Sequence, residues 1–334
     1  MPSNLTRDIT VIGASAGGIV ALRRLLSLLP ADYPAAVFVV VHLAAESPSV
    51  LARILERASD MPVGHGVDGH KIRRGTVTVA APDTHLLIEH DAIRTSHAAR
   101  ENHHRPSIDV LFRSAAVAFG PRVTGVILSG MLDDGVAGLW AIKKRGGIAV
   151  VQDPVEAEFP EMPQSALDIV DVDHSLTIEA IASQLVTLAQ QTVTTSHEGT
   201  PPEMAREVSM VLKHDGTIDD LDRMAERTPF TCPECGGVLW EMDKGGVRYR
   251  CHVGHAYTAK TFSADQTTRV EAALWASLRG LEEKERLSLR LARKAAESGN
   301  ERVAHNYHES ARTCGAHIAV LKRILTEAAG DEAA

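Results

Sequence analysis

Val11-Ile-Gly-Ala-Ser-Ala-Gly-Gly18 decides how the rest of this chain is read. The apolar run Ile9–Ile12 suits a strand, and a helical pattern follows at once in Ile19, Val20, Leu22, Leu25 and Leu26. Ser15 therefore stands at a strand-to-helix turn. Glycines at 13, 17 and 18 permit a sharp bend and a close backbone approach. The N–H groups that open a helix lack partners, and that end of the helix favours negative charge. A hydroxyl held there sits beside donors for an oxyanion, the N–H groups of Ala16, Gly17 and Gly18. This is the logic of a nucleophile elbow, although the pattern is not G-x-S-x-G. Two rival readings exist. A dinucleotide site wants the order G-x-G-x-x-G and an acid after the second strand, whereas Val37–Val41 runs into His42. The other rival is a plain turn with Ser15 as helix N-cap.

Outward from this stretch, strand patterns fall at 8–13, 36–42, 76–80, 85–89, 123–129 and 148–151, and helical patterns at 17–29, 47–58, 107–119, 135–145, 163–170 and 177–190. The alternation predicts an α/β fold, a doubly wound and mostly parallel sheet with helices on both faces. Ala81-Pro-Asp-Thr84 is turn chemistry, so 76–80 and 85–89 are expected to form an antiparallel hairpin. Four parts follow along the chain: residues 1–190 as the α/β domain, 191–229 as a linker with a short helix at 203–213, 230–263 as a small cysteine-bearing module, and 264–334 as a helical hairpin. Apolar rows mark the hairpin, with Val270, Leu274, Leu278 and Leu281 on the first helix. Val303, Tyr307, Ala311, Cys314, Ile318, Leu321, Leu325 and Ala328 mark the second, and Ser298-Gly-Asn300 is the turn.

Composition narrows the classes of function. The 334 residues carry a formal net charge of -8, which argues against general nucleic-acid binding. No apolar run approaches the ~20 residues of a membrane span, and the N-terminus lacks a signal-peptide pattern, so a cytoplasmic protein is expected. Of the 4 cysteines, Cys232, Cys235 and Cys251 cluster, which suits metal ligation better than a disulfide framework.

Three strand ends carry chemistry. Ser15 follows the first strand, His42 ends the second, and Asp133 and Asp134 follow Val126–Met131. Neighbouring parallel strands bring such ends to one rim, where an alcohol, an imidazole and a carboxylate supply nucleophile, general base and orienting group. Taken singly, His42 is equally a satisfied strand-end histidine and Asp134-Gly135 an ordinary turn pair.

Residues 8–190 resemble the catalytic domain of the chemotaxis protein-glutamate methylesterase (CheB) family. The matching segments are Ile12-Gly-Ala-Ser-Ala-Gly-Gly18, Val39-Val-Val-His42, Ala81-Pro-Asp-Thr-His85, Arg105-Pro-Ser-Ile-Asp-Val-Leu-Phe112 and Leu128-Ser-Gly-Met-Leu-Asp-Asp-Gly135. The resemblance implies a Ser15–His42–Asp134 triad, with Met131 at the oxyanion-binding end of its strand. It implies hydrolysis of methyl esters on receptor glutamates, often with deamidation of glutamines. Methylated chemotaxis-type receptor helices would be the partners. Three departures stand out. Ala16 replaces a usual Thr, Leu132 replaces a glycine, and Asp133 adds a second carboxylate. The chain also begins directly with the catalytic strand, without the family's receiver domain, so regulation is expected to fall to a separate protein.

Cys232-Pro-Glu-Cys235 and Cys251-His-Val-Gly-His255, with fifteen residues between them, offer three thiolates and an imidazole, a tetrahedral zinc set. His255 is the expected fourth ligand, because His252 is adjacent to Cys251 and would strain the chelate. A closed set of four reads as structural zinc in a zinc-ribbon-like module. The tail helices suit docking or homodimerisation, and Cys314 on their apolar row reads as a buried inert thiol. Arg248, Arg250, Lys260 and Arg269 read as solvated charges, and His103 and His104 as exposed loop residues, with gating of the site as the functional alternative. The function expected is a serine hydrolase of glutamyl methyl esters. The alternatives are a non-catalytic signalling scaffold and a serine esterase acting on another ester.

Overall fold

A short strand, β1 (Leu5–Thr6), leads into β2 (Ile9–Ala14), whose six residues are all buried. The chain continues through α1 (Gly18–Ser27), β3 (Ala36–Val41), α2 (Leu51–Glu56), β4 (Val63–His65), β5 (Val77–Val79), β6 (His85–Glu89), β7 (Ala92–Ser96) and α3 (Ile108–Phe119). Next come β8 (Val123–Ile127), α4 (Val136–Lys144), β9 (Ile148–Gln152), α5 (Glu161–Ile169), β10 (His174–Leu176), α6 (Ile178–Ala189) and β11 (Thr192–Val193). This computed structural model describes residues 5–42, 50–193, 199–243 and 248–331, with side chains of the last helix described to residue 326. The start of the expected helix at 47–58, residues 194–198 of the expected linker and the side chain of Ala328 lie outside the described residues.

Seven strands form one parallel sheet in the order β10-β9-β8-β2-β3-β5-β4. Alternation along β2 feeds two cores. Ile9 and Val11 pack with Leu111, Phe112, Leu139 and Met162 from α3, α4 and α5. Ile12 and Ala14 pack with Leu22, Leu25, Ile181 and Leu185 from α1 and α6. Because β3 is added on one side of β2 and β8 on the other, the strand order reverses at β2. Such a reversal opens a crevice beyond the carboxyl ends of the strands.

The expected pairing of 76–80 with 85–89 does not form. β5 joins the main sheet between β3 and β4, and β6 pairs antiparallel with β7 instead. Pairing of Glu89 with Ala92 leaves a two-residue loop, His90-Asp91, with His90 at φ 54°. That is the tight reversal, and Ala81–Thr84 only carries the chain from one sheet to another.

Beyond the α/β domain lie α7 (Pro202–Lys213) and α8 (Ile218–Met224), the latter started by a Thr217–Asp220 capping box. Four antiparallel strands follow, β12 (Glu226–Thr231), β13 (Val238–Glu241), β14 (Arg248–Cys251) and β15 (Ala256–Thr258). β15 runs directly into α9 (Ala259–Glu297), and Gly299 at φ 73° turns the chain into α10 (Glu301–Asp331). Residues 1–262 form one compact unit and 263–334 a second. Within the second, Leu278, Ile318 and Leu325 pack with Leu274, Leu281 and Leu321, and Cys314 is buried.

The cysteine-bearing sheet is tied to the α/β domain by buried charge. Arg113 of α3 donates to both carboxylate oxygens of Glu101, at 2.8 and 2.9 Å, and Arg250 of β14 pairs with the same carboxylate. Arg248 grips Glu207 of α7 at 2.7 and 2.8 Å. Arg248 and Arg250 were expected on the surface, yet their side chains are 16% and 2% exposed, because Glu207 of α7 and, for Arg250, also Glu101 of the α/β domain neutralise them. Burial pushes the Glu101 carboxyl up, but Arg113 and Arg250 outweigh it and hold it below the usual range. Glu101→Gln leaves two buried guanidiniums without that charge, and we expect a loss of ~3–5 kcal/mol in chemical denaturation.

Candidate active site

The reversal at β2 brings three loop tips together. Ser15 leaves β2, with its N–H on the carbonyl of Ser129 at 3.0 Å. His42 leaves β3 and extends the ladder by one bond, its N–H donating to Ala14 at 3.2 Å. Asp134 follows β8 and lies against the N-terminus of α3. His42 Nδ1 is 3.2 Å from Ser15 Oγ, and His42 Nε2 is 2.7 Å from Asp134 Oδ2. An ionised carboxylate only accepts, so Nε2 carries the proton and Nδ1 presents its lone pair to the serine hydroxyl.

Asp134 is built to stay ionised. Its Oδ2 also accepts the N–H of Ile108 at 2.7 Å. Its Oδ1 accepts Ser107 Oγ at 2.9 Å, Asn102 Nδ2 at 3.0 Å and the N–H of Asp109 at 3.3 Å. Burial disfavours the charge, but His42 and these donors prevail and hold the carboxyl well below its ordinary range. A second buried acid, Asp109, accepts N–H groups of Gly135 at 3.0 Å and Gly138 at 2.6 Å. Burial and the neighbouring Asp134 push this one up.

Gly17 explains the glycines of the turn. It sits at φ 72°, and a Cβ there would lie 2.6 Å from Ser129 Oγ. The Gly18 N–H, expected among the oxyanion donors, instead donates to the Ser15 carbonyl at 2.9 Å and closes the turn. Among the described residues, no protein acceptor takes the N–H groups of Ala16, Gly17 or Met131. Met131 is 52% exposed at the rim. Gly130 lies so close beneath that a Cβ would meet the Cβ of Ser15 at 3.0 Å. Leu132, where the resemblance wants glycine, adopts φ 61°, a conformation that costs an ordinary residue strain.

The sequence reading did not place Asn102, Ser107 and Asp109 in the site. Their signal was present in the segment running up to Arg105–Phe112, but only folding puts it under Asp134. His104 is not an exposed loop residue either. Its ring stacks on His42 with centroids 3.4 Å apart and planes 9° from parallel. Burial first, then His42, lowers its pKa from 6.5 to about 3. Between those values an unfolded chain takes up a proton that the folded chain refuses, so stability falls as pH drops from 6.5 towards 3. Urea unfolding of the wild type and of His104→Asn at pH 7 and pH 4 checks this, and the variant should lose less stability on acidification.

The four expected metal ligands do converge. The ligand atoms of Cys232, Cys235, Cys251 and His255 lie within 4.8 Å of one another. His255 Nδ1 is 3.7 Å from Cys232 Sγ and 3.6 Å from Cys251 Sγ, and Cys235 Sγ is 3.7 Å from Cys251 Sγ. A tetrahedron with bonds of about 2.3 Å has edges of about 3.7 Å, so the set can hold a metal ion. His255 Nε2 meets Glu234 at 3.2 Å, a carboxylate placed to fix the ring's tautomer.

A linked serine, histidine and aspartate at the carboxyl rim of a parallel sheet define an α/β hydrolytic enzyme of the serine-nucleophile class. The CheB methylesterase family model matches residues 10–185, and the chain belongs to that family. A relative from Leptospira interrogans named for protein-glutamate methylesterase/protein-glutamine glutaminase is 42% identical over 181 residues, covering 54% of this chain and 94% of the relative. A protein-glutamate methylesterase/protein-glutamine glutaminase of Rhodospirillum rubrum is 36% identical, and there the match spans 54% of this chain but 51% of the relative. The crystal structure of the Thermotoga maritima CheB methylesterase catalytic domain matches with TM-score 0.52 at 29% identity, over 54% of this chain and 98% of that one. Among the described residues, no helix is long and apolar enough to cross a membrane.

Proposed function

We propose that this chain is a protein-glutamate methylesterase that hydrolyses glutamyl methyl esters on chemotaxis-type receptors and also deamidates receptor glutamines. The observation that carries this reading is the hydrogen-bonded series from Ser15 through His42 to Asp134 on the family's fold. Ser15 Oγ attacks the ester carbonyl as its proton passes to His42 Nδ1. Asp134 stabilises the imidazolium through Nε2. The oxyanion is met by N–H groups of Ala16, Gly17 and Met131, each donor worth about 3–4 kcal/mol of barrier. The intermediate collapses, and methanol leaves with the proton from Nδ1. Water, deprotonated by the same nitrogen, then cleaves the acyl-enzyme to release glutamate and restore Ser15. A glutamine substrate follows the same course with ammonia as the leaving group.

The cysteine and histidine cluster we read as a structural zinc site. Three thiolates and one imidazole leave no open position for substrate. Its ligands would be Cys232, Cys235, Cys251 and His255, with the ion supplying a cross-link and no chemistry at Ser15.

The test pairs methanol release from a methylated receptor with labelling of Ser15 by a fluorophosphonate. Both signals are expected. Labelling with turnover of small esters only would point to a different serine esterase. No labelling and no turnover would leave a signalling scaffold and sink the enzyme reading.

A further inference from the structure

The family match ends at residue 185, yet the segment 256–261, far outside it, reaches into the active site. We propose that the C-terminal module is a working part of the catalytic centre: β15 and the first turn of α9 hold Asn102 and Asp133, and through them the carboxylate of Asp134. The inference rests on the hydrolase reading above and makes Asn102 a positioning residue.

Asn102 is 4% exposed and sits at φ 50°, a conformation that asparagine tolerates better than most residues. Its N–H donates to the Ala256 carbonyl at 2.8 Å. Its Oδ1 accepts the Thr258 N–H at 2.9 Å. Both amide hydrogens are then committed, one to Asp134 Oδ1 at 3.0 Å and one to Asp109 Oδ2 at 2.9 Å. The amide has one sensible orientation, because a flip would turn its oxygen towards two acids and its NH2 towards an N–H donor. A single side chain therefore joins a backbone donor of the module to the acid that orients His42.

The neighbouring acid is held from the same place. Asp133 Oδ1 accepts Thr258 Oγ1 at 2.8 Å and Thr261 Oγ1 at 2.9 Å, with all three side chains buried. Lys260 reaches Ser165 Oγ at 3.2 Å and pairs with Glu161, fastening the same turn to α5. Asp133 precedes Asp134 directly, so anchoring it limits how far the Asp134 backbone can swing. The second carboxylate thus has a role: it is the peg by which the module grips the loop after β8. A positional error of about 1 Å is enough to cost an enzyme ~100-fold.

The experiment uses the full chain and three variants. Thr258→Val with Thr261→Val removes both hydroxyls at nearly constant volume. Thr258→Ser with Thr261→Ser keeps them. Asn102→Asp keeps the shape and the acceptor for Thr258 but replaces the amide donors with a third carboxyl group set against Asp134 and Asp109. Readouts are kcat and KM for methanol release, the rate of Ser15 labelling by a fluorophosphonate, and the low-field proton resonance of His42 Nε2–H. We expect the valine pair to lose roughly 10-fold and Asn102→Asp roughly 100-fold in kcat and in labelling rate. KM should stay within about twofold, the low-field signal should shift or broaden, and the serine pair should match the wild type. A merely structural role would lower the melting temperature and leave kcat of the folded fraction intact. If the valine pair does not fold, Asn102→Asp decides. Wild-type kcat and labelling in that variant, or in a folded valine pair, would overturn the proposal. Should the receptor prove not to be a substrate while labelling persists, the methylesterase reading fails and the labelling rates still judge the positioning one.

Discussion

Ser15→Ala should abolish methanol release from methylated receptor, lowering kcat by roughly 10⁴- to 10⁶-fold. The size of the loss follows from geometry. Ser15 Oγ is the atom that His42 Nδ1 faces, at 3.2 Å, and the imidazole is itself fixed by Asp134 at 2.7 Å. Without the hydroxyl, the base has no oriented nucleophile, and water must enter a rim shaped for a serine. The turn itself survives, because the Ser15 N–H to Ser129 and the Gly18 N–H to Ser15 are backbone bonds that alanine keeps. Melting temperature should therefore be unchanged while activity and fluorophosphonate labelling vanish together. Retention of wild-type turnover by a folded Ser15→Ala protein would end the triad assignment.

Removing the zinc we propose should have the second largest effect, and it should fall on stability. The module's own core is small: Cys232, Leu239, Cys251, Tyr257 and Phe262, with Tyr249 packed against it. Two of those five are ligands. So few buried side chains cannot offset the entropy of ordering four short strands. Small zinc domains draw ~10–16 kcal/mol from their ion. We therefore expect a strong chelator, or Cys232→Ser, to unfold β12 through β15 and raise amide exchange throughout 226–258. The parallel sheet has two large cores of its own and should stay folded. Release of one zinc ion per chain, measured by a colorimetric indicator, is the companion result. Protein that carries no metal and whose exchange is indifferent to chelator would refute the structural-zinc reading.

These two expectations were legible in the sequence for a common reason. A nucleophile turn and a chelating knuckle are local devices. Gly17 at φ 72° and the pairs Cys232/Cys235 and Cys251/His255 act over a few residues, so their spacing is readable in the sequence, although at the serine turn a plain N-cap stayed a rival until His42 and Asp134 were read beside it. The long helices were legible because an apolar stripe repeats often enough to stand out; α3 and α6 fall within one residue of their expected spans. Strands of three residues carry no such repeat, and β4 and β10 went unread. β6 pairs with β7 and not with β5, which is held between β3 and β4, and the two-residue reversal carries a left-handed His90, a residue that ordinary turn chemistry does not single out.

The sequence by itself determined the α/β order, the serine at its turn, the histidine and acid at their strand ends, and the three cysteines and one histidine that can hold a metal ion. Only the tertiary structure decided what surrounds them. It buried Arg250 against Glu101, stacked His104 on His42, and placed Thr258 and Thr261 on the acid beside the triad. The physical reason is range. Periodicity and chelate spacing are properties of neighbours along the chain. Charge neutralisation and hydrogen-bond satisfaction at a buried surface join residues more than a hundred positions apart, and nothing in either segment alone names its partner.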